Sequence, residues 1–212
     1  MPRGTFNTVA CAGLATLALI APAAATATTI TESFETGLGA WATDSYLAPG
    51  AVNPLDPTWT RTTARAIDGE WSLDIGASGL NDDGSVWIER PIDLPAGTWN
   101  IVLSFFLWSP VQSDLNNWEV LAHLNTFDPE TEDDFTVLGE TNRDAGWIYY
   151  ELDRTLTLDA PATVYAALGL NVTWETDRVY GFDDVRLTVV PAPGLAALGV
   201  VASGLIARRR RR

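Results

Sequence analysis

Between residues 28 and 190, polar and apolar positions alternate with a period of two, or apolar residues crowd into runs rich in β-branched and aromatic side chains. Clusters of Gly, Pro, Asn and Asp separate these runs. The pattern predicts strands over 29–34, 40–44, 59–64, 71–75, 85–90, 98–108, 118–124, 135–140, 147–158, 163–170 and 179–189. No stretch before the C-terminal tail carries the 3.6-residue period of a long amphipathic helix. In 98–108 the odd positions Trp99, Ile101, Leu103, Phe105 and Leu107 form an apolar face, with Asn100, Ser104, Phe106 and Trp108 opposite. The same alternation turns Glu119, Leu121, His123 and Tyr165 outward, and it puts Trp147 and Tyr149 on one face with Ile148, Tyr150 and Leu152 on the other. Turn chemistry at Asp68-Gly69, Asp83-Gly84, Pro95-Ala96-Gly97 and Ala145-Gly146 falls between the runs. With no fixed-period repeat and no internal linker, a single all-β sandwich over residues 28–189 is expected.

Both ends break this pattern. Arg3, an apolar run over 9–25 and small residues at 23–27 form a secretory signal pattern, so residues 1–27 are expected to be removed on export. A lipoprotein signal ending at Cys11 is set aside, because most of the apolar run follows that cysteine rather than preceding it. At the other end, residues 190–212 read VPAPGLAALGVVASGLIARRRRR. The prolines Pro191 and Pro193 lack backbone donors and are expected to end the last strand. An uncharged run over 194–207 follows. As a helix it would be about 21 Å long, against a hydrocarbon core of about 30 Å. The cluster Arg208, Arg209, Arg210, Arg211 and Arg212 then holds the cytoplasmic side of a short transmembrane helix.

Pro191-Ala192-Pro193, the short helix rich in small residues and the terminal arginines resemble the PEP-CTERM sorting signal of Gram-negative bacteria. The resemblance implies recognition and removal of the tail by the membrane protease exosortase. The usual glutamate of Pro-Glu-Pro is Ala192 here, as in VPxP variants. The competing reading is a plain tail anchor that is never cleaved.

Charge and composition narrow the function. All 13 basic residues are arginine, and residues 28–190 hold seven of them with all 27 acids, a net charge near −20. Such a field repels nucleic acid and anionic lipid and favours divalent cations and neutral partners. With Cys11 the sole cysteine, signal removal leaves no thiol, disulfide or thiolate metal site. Nine tryptophans concentrate aromatic surface in one small domain.

A second resemblance lies at the two ends of the body. Glu32-Ser33-Phe34-Glu35-Thr36-Gly37-Leu38 with Trp41, Asp68-Gly69-Glu70-Trp71-Ser72-Leu73, and Tyr180-Gly181-Phe182-Asp183-Asp184-Val185-Arg186-Leu187 are similar to segments of galactose-binding-like and carbohydrate-binding jelly rolls. The resemblance implies a single jelly-roll β-sandwich and a structural calcium where these segments meet. It points to Glu32, Glu35, Asp68, Asp183 and Asp184 as oxygen ligands. Asp183 shares the parity of Val185 and Leu187, so it is expected on the core side, with Asp184 reaching a loop or solvent. An inward Asp in a lysine-free chain needs an arginine or a metal against its desolvation. The alternative is that these acids cap turns in solvent. Two further acidic stretches, 81–83 and 128–134, lack the spacing of a calcium loop and read as solvated.

Sugars present C–H patches beside hydroxyls, so a binding surface needs flat rings next to hydrogen-bonding groups. Phe106, Trp108, Glu119, His123, Trp147, Tyr149 and Tyr165 supply these if their strands are neighbours; the alternative is that loops cover the rings. Catalysis has little support, since His123 is the sole histidine and no G-x-S-x-G elbow accompanies it. Carboxylate pairs such as Glu119 and Glu151 remain available to a glycosidase or lyase. Asn171-Val172-Thr173 matches a glycosylation acceptor but carries little weight in the bacterial setting that the tail resemblance implies. The expectation is a non-enzymatic exported protein, a calcium-stabilised carbohydrate-binding-like module of the cell envelope or extracellular matrix. It is anchored at least transiently by its tail, with a polysaccharide as partner and no nucleic acid. The competing classes are a structural matrix or adhesion protein without a ligand and a small jelly-roll hydrolase or lyase.

Overall fold

The computed structural model describes residues 26–51, 55–77, 84–113, 115, 117–173 and 177–192. Among the described residues eleven strands form the body, and each of the eleven predicted runs corresponds to one. They are β1 (Thr28–Glu32), β2 (Ala42–Leu47), β3 (Thr58–Thr62), β4 (Ser72–Ala77), β5 (Gly84–Leu94), β6 (Gly97–Ser109), β7 (Glu119–Asn125), β8 (Thr136–Glu140), β9 (Gly146–Leu158), β10 (Ala162–Asn171) and β11 (Arg178–Pro191). A 3₁₀ turn, Glu132–Asp134, precedes β8. The strands make two antiparallel sheets. Sheet A runs β3-β4-β11-β6-β9, with β1 also paired to β11, and sheet B runs β2-β5-β10-β7-β8.

Strand β11 is the axis of sheet A. Its first half pairs with β4 and its second with β1 on one edge, while β6 runs along the other. The predicted inward positions of β6, β7, β9 and β10 are buried and meet in one core, where Phe105 packs on Tyr150 and Phe182 at 5.9 and 5.7 Å between ring centroids. Burying these large apolar side chains is the main stabilising term, at about 1.5–3 kcal/mol for each fully buried one.

Two proline positions follow from pairing. Strand β2 pairs with β5 only as far as Glu89, so Pro91, which has no N–H to give, lies where β5 has one neighbour. The last strand ends at Pro191, as expected, with that proline as its final residue opposite Trp99, and Ala192 N donates to Thr98 O at 2.8 Å. A proline is tolerated there because β1 pairs with β11 only as far as Val189, so at Pro191 the strand has β6 as its one neighbour and a missing N–H can be spared. Residues 1–25 of the signal segment, residues 81–83, Pro193, the apolar run and Arg208–Arg212 lie outside the described residues. Among the described residues no helix is long and apolar enough to cross a membrane.

Candidate functional site

The site begins with an irregularity in β11. Asp183 pairs with Phe106, but the next registered pair is Arg186 with Ser104, so β11 carries one residue more than β6 between them. Asp184 absorbs the extra residue with φ +47°, and the alternation flips across it. Tyr180 and Phe182 face the core before the bulge; Val185, Leu187 and Val189 do so after it. Asp183 therefore sits on the outer face of sheet A, and the expectation that it shares the core side with Val185 and Leu187 is corrected.

Asp183 is nevertheless fully buried, because the segment between β3 and β4 folds over it. Its Oδ2 accepts from the backbone N–H of Ile67 at 2.7 Å and of Asp68 at 3.1 Å, and its Oδ1 accepts from Asp184 N at 2.7 Å. Burial pushes this carboxyl above the ordinary carboxylate value, and the three N–H groups only partly offset that push. Further along the same cover, Glu35 Oε1 accepts from Glu70 N and Trp71 N, both at 2.9 Å. Two acids distant in sequence thus hold four backbone donors of one covering segment.

The cover also brings Arg65 onto the sheet. Its guanidinium lies 3.9 Å from the Trp108 ring centroid and bonds Asp74 Oδ1 at 2.6 Å. Asp74 is opposite Gly181 on β11, and Gly181 is opposite Trp108, so Arg65 lies across three strands where Gly181 leaves room. Burial raises the Asp74 carboxyl, with Arg65 acting in the other direction.

Beyond the cover, the outer face of sheet A stays open. Cross-strand partners share a face, so the register aligns Trp108 with Trp147, Phe106 with Tyr149, and Arg186 with Ser104 and Glu151. Tyr149 is 49% exposed and meets Phe106 edge to face at 5.4 Å. Its hydroxyl donates to Glu151 in a short hydrogen bond. Burial of the phenol first, then Glu151, raises the Tyr149 hydroxyl pKa. Arg186 grips Asp184 with two bonds of 2.8 and 2.9 Å. Ser104, Phe106, Tyr149, Asp184 and Arg186 line a shallow hollow of about 300 Å³.

Seven residues were expected to form one binding face, and the structure divides them. Phe106, Trp108, Trp147 and Tyr149 lie on the outer face of sheet A, whereas Glu119, His123 and Tyr165 lie on the outer face of sheet B, across the core. Strand order, which alternation does not encode, is the reason. Glu119 and Glu151 are separated in the same way, so they cannot flank one glycosidic bond.

Much of sheet B's outer face is already filled. Trp87 is fully buried opposite Gly169, where an added Cβ would lie 2.6 Å from the Trp87 Cβ and 2.2 Å from Val86 O. The acidic stretch 128–134 keeps Asp128, Glu130 and Asp133 exposed, as a solvated loop would, while the rings that flank it make the segment a strap across this face. Phe135 packs edge-on against Trp87 at 5.2 Å, and Phe127 and Phe135 flank the buried ring of His123. Both His123 ring nitrogens lie against strap carbonyls, of Asp134 at 2.7 Å and Phe127 at 3.0 Å, leaving neither for a serine hydroxyl. Asp134 anchors the strap by accepting from Glu130 N, Thr131 N and the Thr131 hydroxyl. Asn171 is equally committed, donating to Glu119 and accepting from Ser85.

Of the five carboxylates expected at a calcium site, Asp183 and Glu35 hold the covering segment, Asp184 holds Arg186, and Glu32 Oε1 accepts from Phe34 N at 2.9 Å. The fifth, Asp68, gives Asp183 a backbone N–H. Among the described residues no group of three or more His, Cys, Asp or Glu is placed to hold a metal ion. Sequence reasoning missed Arg61, Arg65, Asp74, Ser104, Glu151 and Arg186 as members of this region. The outward parity of Ser104 was readable, but Arg186 is brought into line only by the bulge.

No family model matches the chain, and no curated protein does either. Similar solved structures include the CBM22-1 xylan-binding domain of Xyn10C from Paenibacillus barcinonensis, 13% identical with a TM-score of 0.49 over 81% of this chain and 100% of that one. A carbohydrate-binding module from a study of promiscuous specificity in the β-sandwich superfamily is 19% identical, with a TM-score of 0.44 over 72% and 59%. The K1 cleaved adhesin domain of Lys-gingipain from Porphyromonas gingivalis W83 is 17% identical, with a TM-score of 0.43 over 79% and 99%.

Asp183→Asn must turn an amide NH₂ toward one of the two sets of backbone donors, and is expected to cost about 1–3 kcal/mol at neutral pH. The raised folded-state value means that wild-type stability contributed by this group is fully present in acid and falls as pH rises through the Asp183 pKa. Asn lacks that slope. Urea midpoints across the acid range should therefore show the variant's deficit widest in acid and narrowing toward neutrality; a deficit that widens as pH rises contradicts this account.

Proposed function

We propose that the protein is an exported, non-enzymatic component of the cell envelope or extracellular matrix that binds a neutral polysaccharide through the outer face of sheet A. The observation that carries the reading is the half-exposed Tyr149 ring, set against Phe106 and bordered by Ser104, Glu151 and the Asp184–Arg186 pair. A flat ring offers its face to sugar C–H groups, and the bordering oxygens and guanidinium offer partners to hydroxyls. The strong negative charge of the body disfavours acidic glycans. Jelly-roll topology is the finer fold reading: β4-β11-β6-β9 in one sheet face β5-β10-β7-β8 in the other.

Export and sorting complete the proposal. The N-terminal signal pattern supports secretion, and the tail from Pro191 onward supports transient membrane anchoring followed by exosortase-type cleavage and release. A matrix component with no ligand is the second reading, favoured by the shallowness of the hollow and by Arg65 already covering Trp108.

Two measurements test this. Titration with neutral glucan, xylan and mannan oligosaccharides should give binding that Tyr149→Ala weakens about tenfold or more, as expected for loss of one aromatic contact. Tyr165→Ala, on the other sheet, should leave it unchanged. Binding lost with Tyr165 and kept without Tyr149 contradicts the assignment, and no binding to any of the three glycans leaves the matrix reading. Separately, mass spectrometry of the protein recovered from its host should find a C-terminus near Pro193; an intact Arg212 contradicts processing.

A further inference from the structure

The calcium that the resemblance implies meets a difficulty in the donor set itself. Oxygen cages for calcium combine carboxylates with backbone carbonyls. At the turn after β1 the carbonyls that would serve are those of Phe34 and Glu35, and both already accept from one cation of the chain. Arg61, on β3, donates through Nε to Phe34 O at 2.6 Å and through Nη2 to Glu35 O at 2.5 Å. We infer that the Arg61 guanidinium holds the place of a divalent cation in this fold, so that the turn after β1 and the cover over sheet A are fastened without metal.

The surrounding groups are arranged for that role. Phe34 is fully buried with φ +58°, a left-handed conformation costly for a side chain with a Cβ. Both ends of its backbone are held, the N–H by Glu32 Oε1 and the carbonyl by Arg61. A face of the guanidinium is covered by Trp71, whose ring centroid lies 4.2 Å from the Arg61 Cζ. The Trp71 N–H in turn bonds the carboxylate of Glu35, whose carbonyl Arg61 holds. Arg61, Glu35 and Trp71 therefore close a ring of contacts joining three separate segments.

The carboxylates agree with this. Asp183 has three of its acceptor positions occupied by N–H donors, and Glu35 Oε1 accepts two. A planar fork suits two neighbouring carbonyls in a way a compact ammonium does not. The residues present do not fit a calcium cage, and they do fit an internal cation.

Thermal melting of the full-length protein in chelator, in millimolar calcium and in millimolar magnesium tests the inference. Wild type should melt at the same temperature in calcium as in magnesium, any shared shift reflecting screening of its acidic surface. Arg61→Met, which keeps length but cannot bridge the carbonyls, should lower the melting temperature by about 4–8 °C in chelator. Arg61→Lys should fall between the two. A saturable, calcium-specific rise in wild type overturns the inference, as does an Arg61→Met variant that melts like wild type. Should Arg61→Met fail to fold, the wild-type comparison still decides the matter.

Discussion

The exposed half of this protein depends on one buried carboxylate. Asp183 sits at a bulge on the axial strand of sheet A, and the three N–H groups it accepts come from its own bulge and from the segment that covers it. A buried carboxylate is tolerated only when its oxygens are occupied by donors, so the bulge, the acid and the cover stand or fall together. The same extra residue that orients Asp183 brings Arg186 into line with Ser104 and Glu151 and within reach of Asp184. Without it β11 would present one side-chain parity throughout, and the open row beside Tyr149 would lack its ion pair.

Strand content, inward faces and single-domain organisation were readable from residues, because a period of two and turn chemistry are local signals. The inner positions of β6 and β7 illustrate this: Phe105, Leu107, Val120 and Ala122 are all fully buried, as their alternation demands. The site was much less legible. Phe106 and His123 both read correctly as lying outside the inner face, yet one borders an open hollow and the other is sealed under a strap. Which sheet a strand joins depends on long-range pairing that alternation cannot specify. Asp183 was read as buried, correctly, and assigned to the wrong face, because one inserted residue reverses every side chain after it.

Arginine is scarce in the body, and the structure uses several of these few cations as fasteners. Arg61 ties the turn after β1 to β3 and Trp71; Arg65 ties the cover to Asp74 and Trp108; Arg186 ties the two sides of the bulge through Asp184. Exposed ion pairs such as Arg186–Asp184 are worth little each, but Arg61 and Arg65 also stack on tryptophan rings and Arg61 bridges two backbone carbonyls, where geometry adds to charge. All three lie on sheet A. Sheet B is closed instead by packing, with Trp87 and the aromatic strap residues filling the face that Gly169 leaves flat. This division leaves an open face on sheet A, where the proposed glycan contact is placed, and a packed one on sheet B.

The most direct test of that division is amide hydrogen exchange across the whole chain, with and without a neutral oligosaccharide. Protection confined to β6, β9 and β11 around Phe106, Tyr149 and Arg186 is the result predicted. Protection on β7 and β10 around His123 and Tyr165, with none on sheet A, would contradict it.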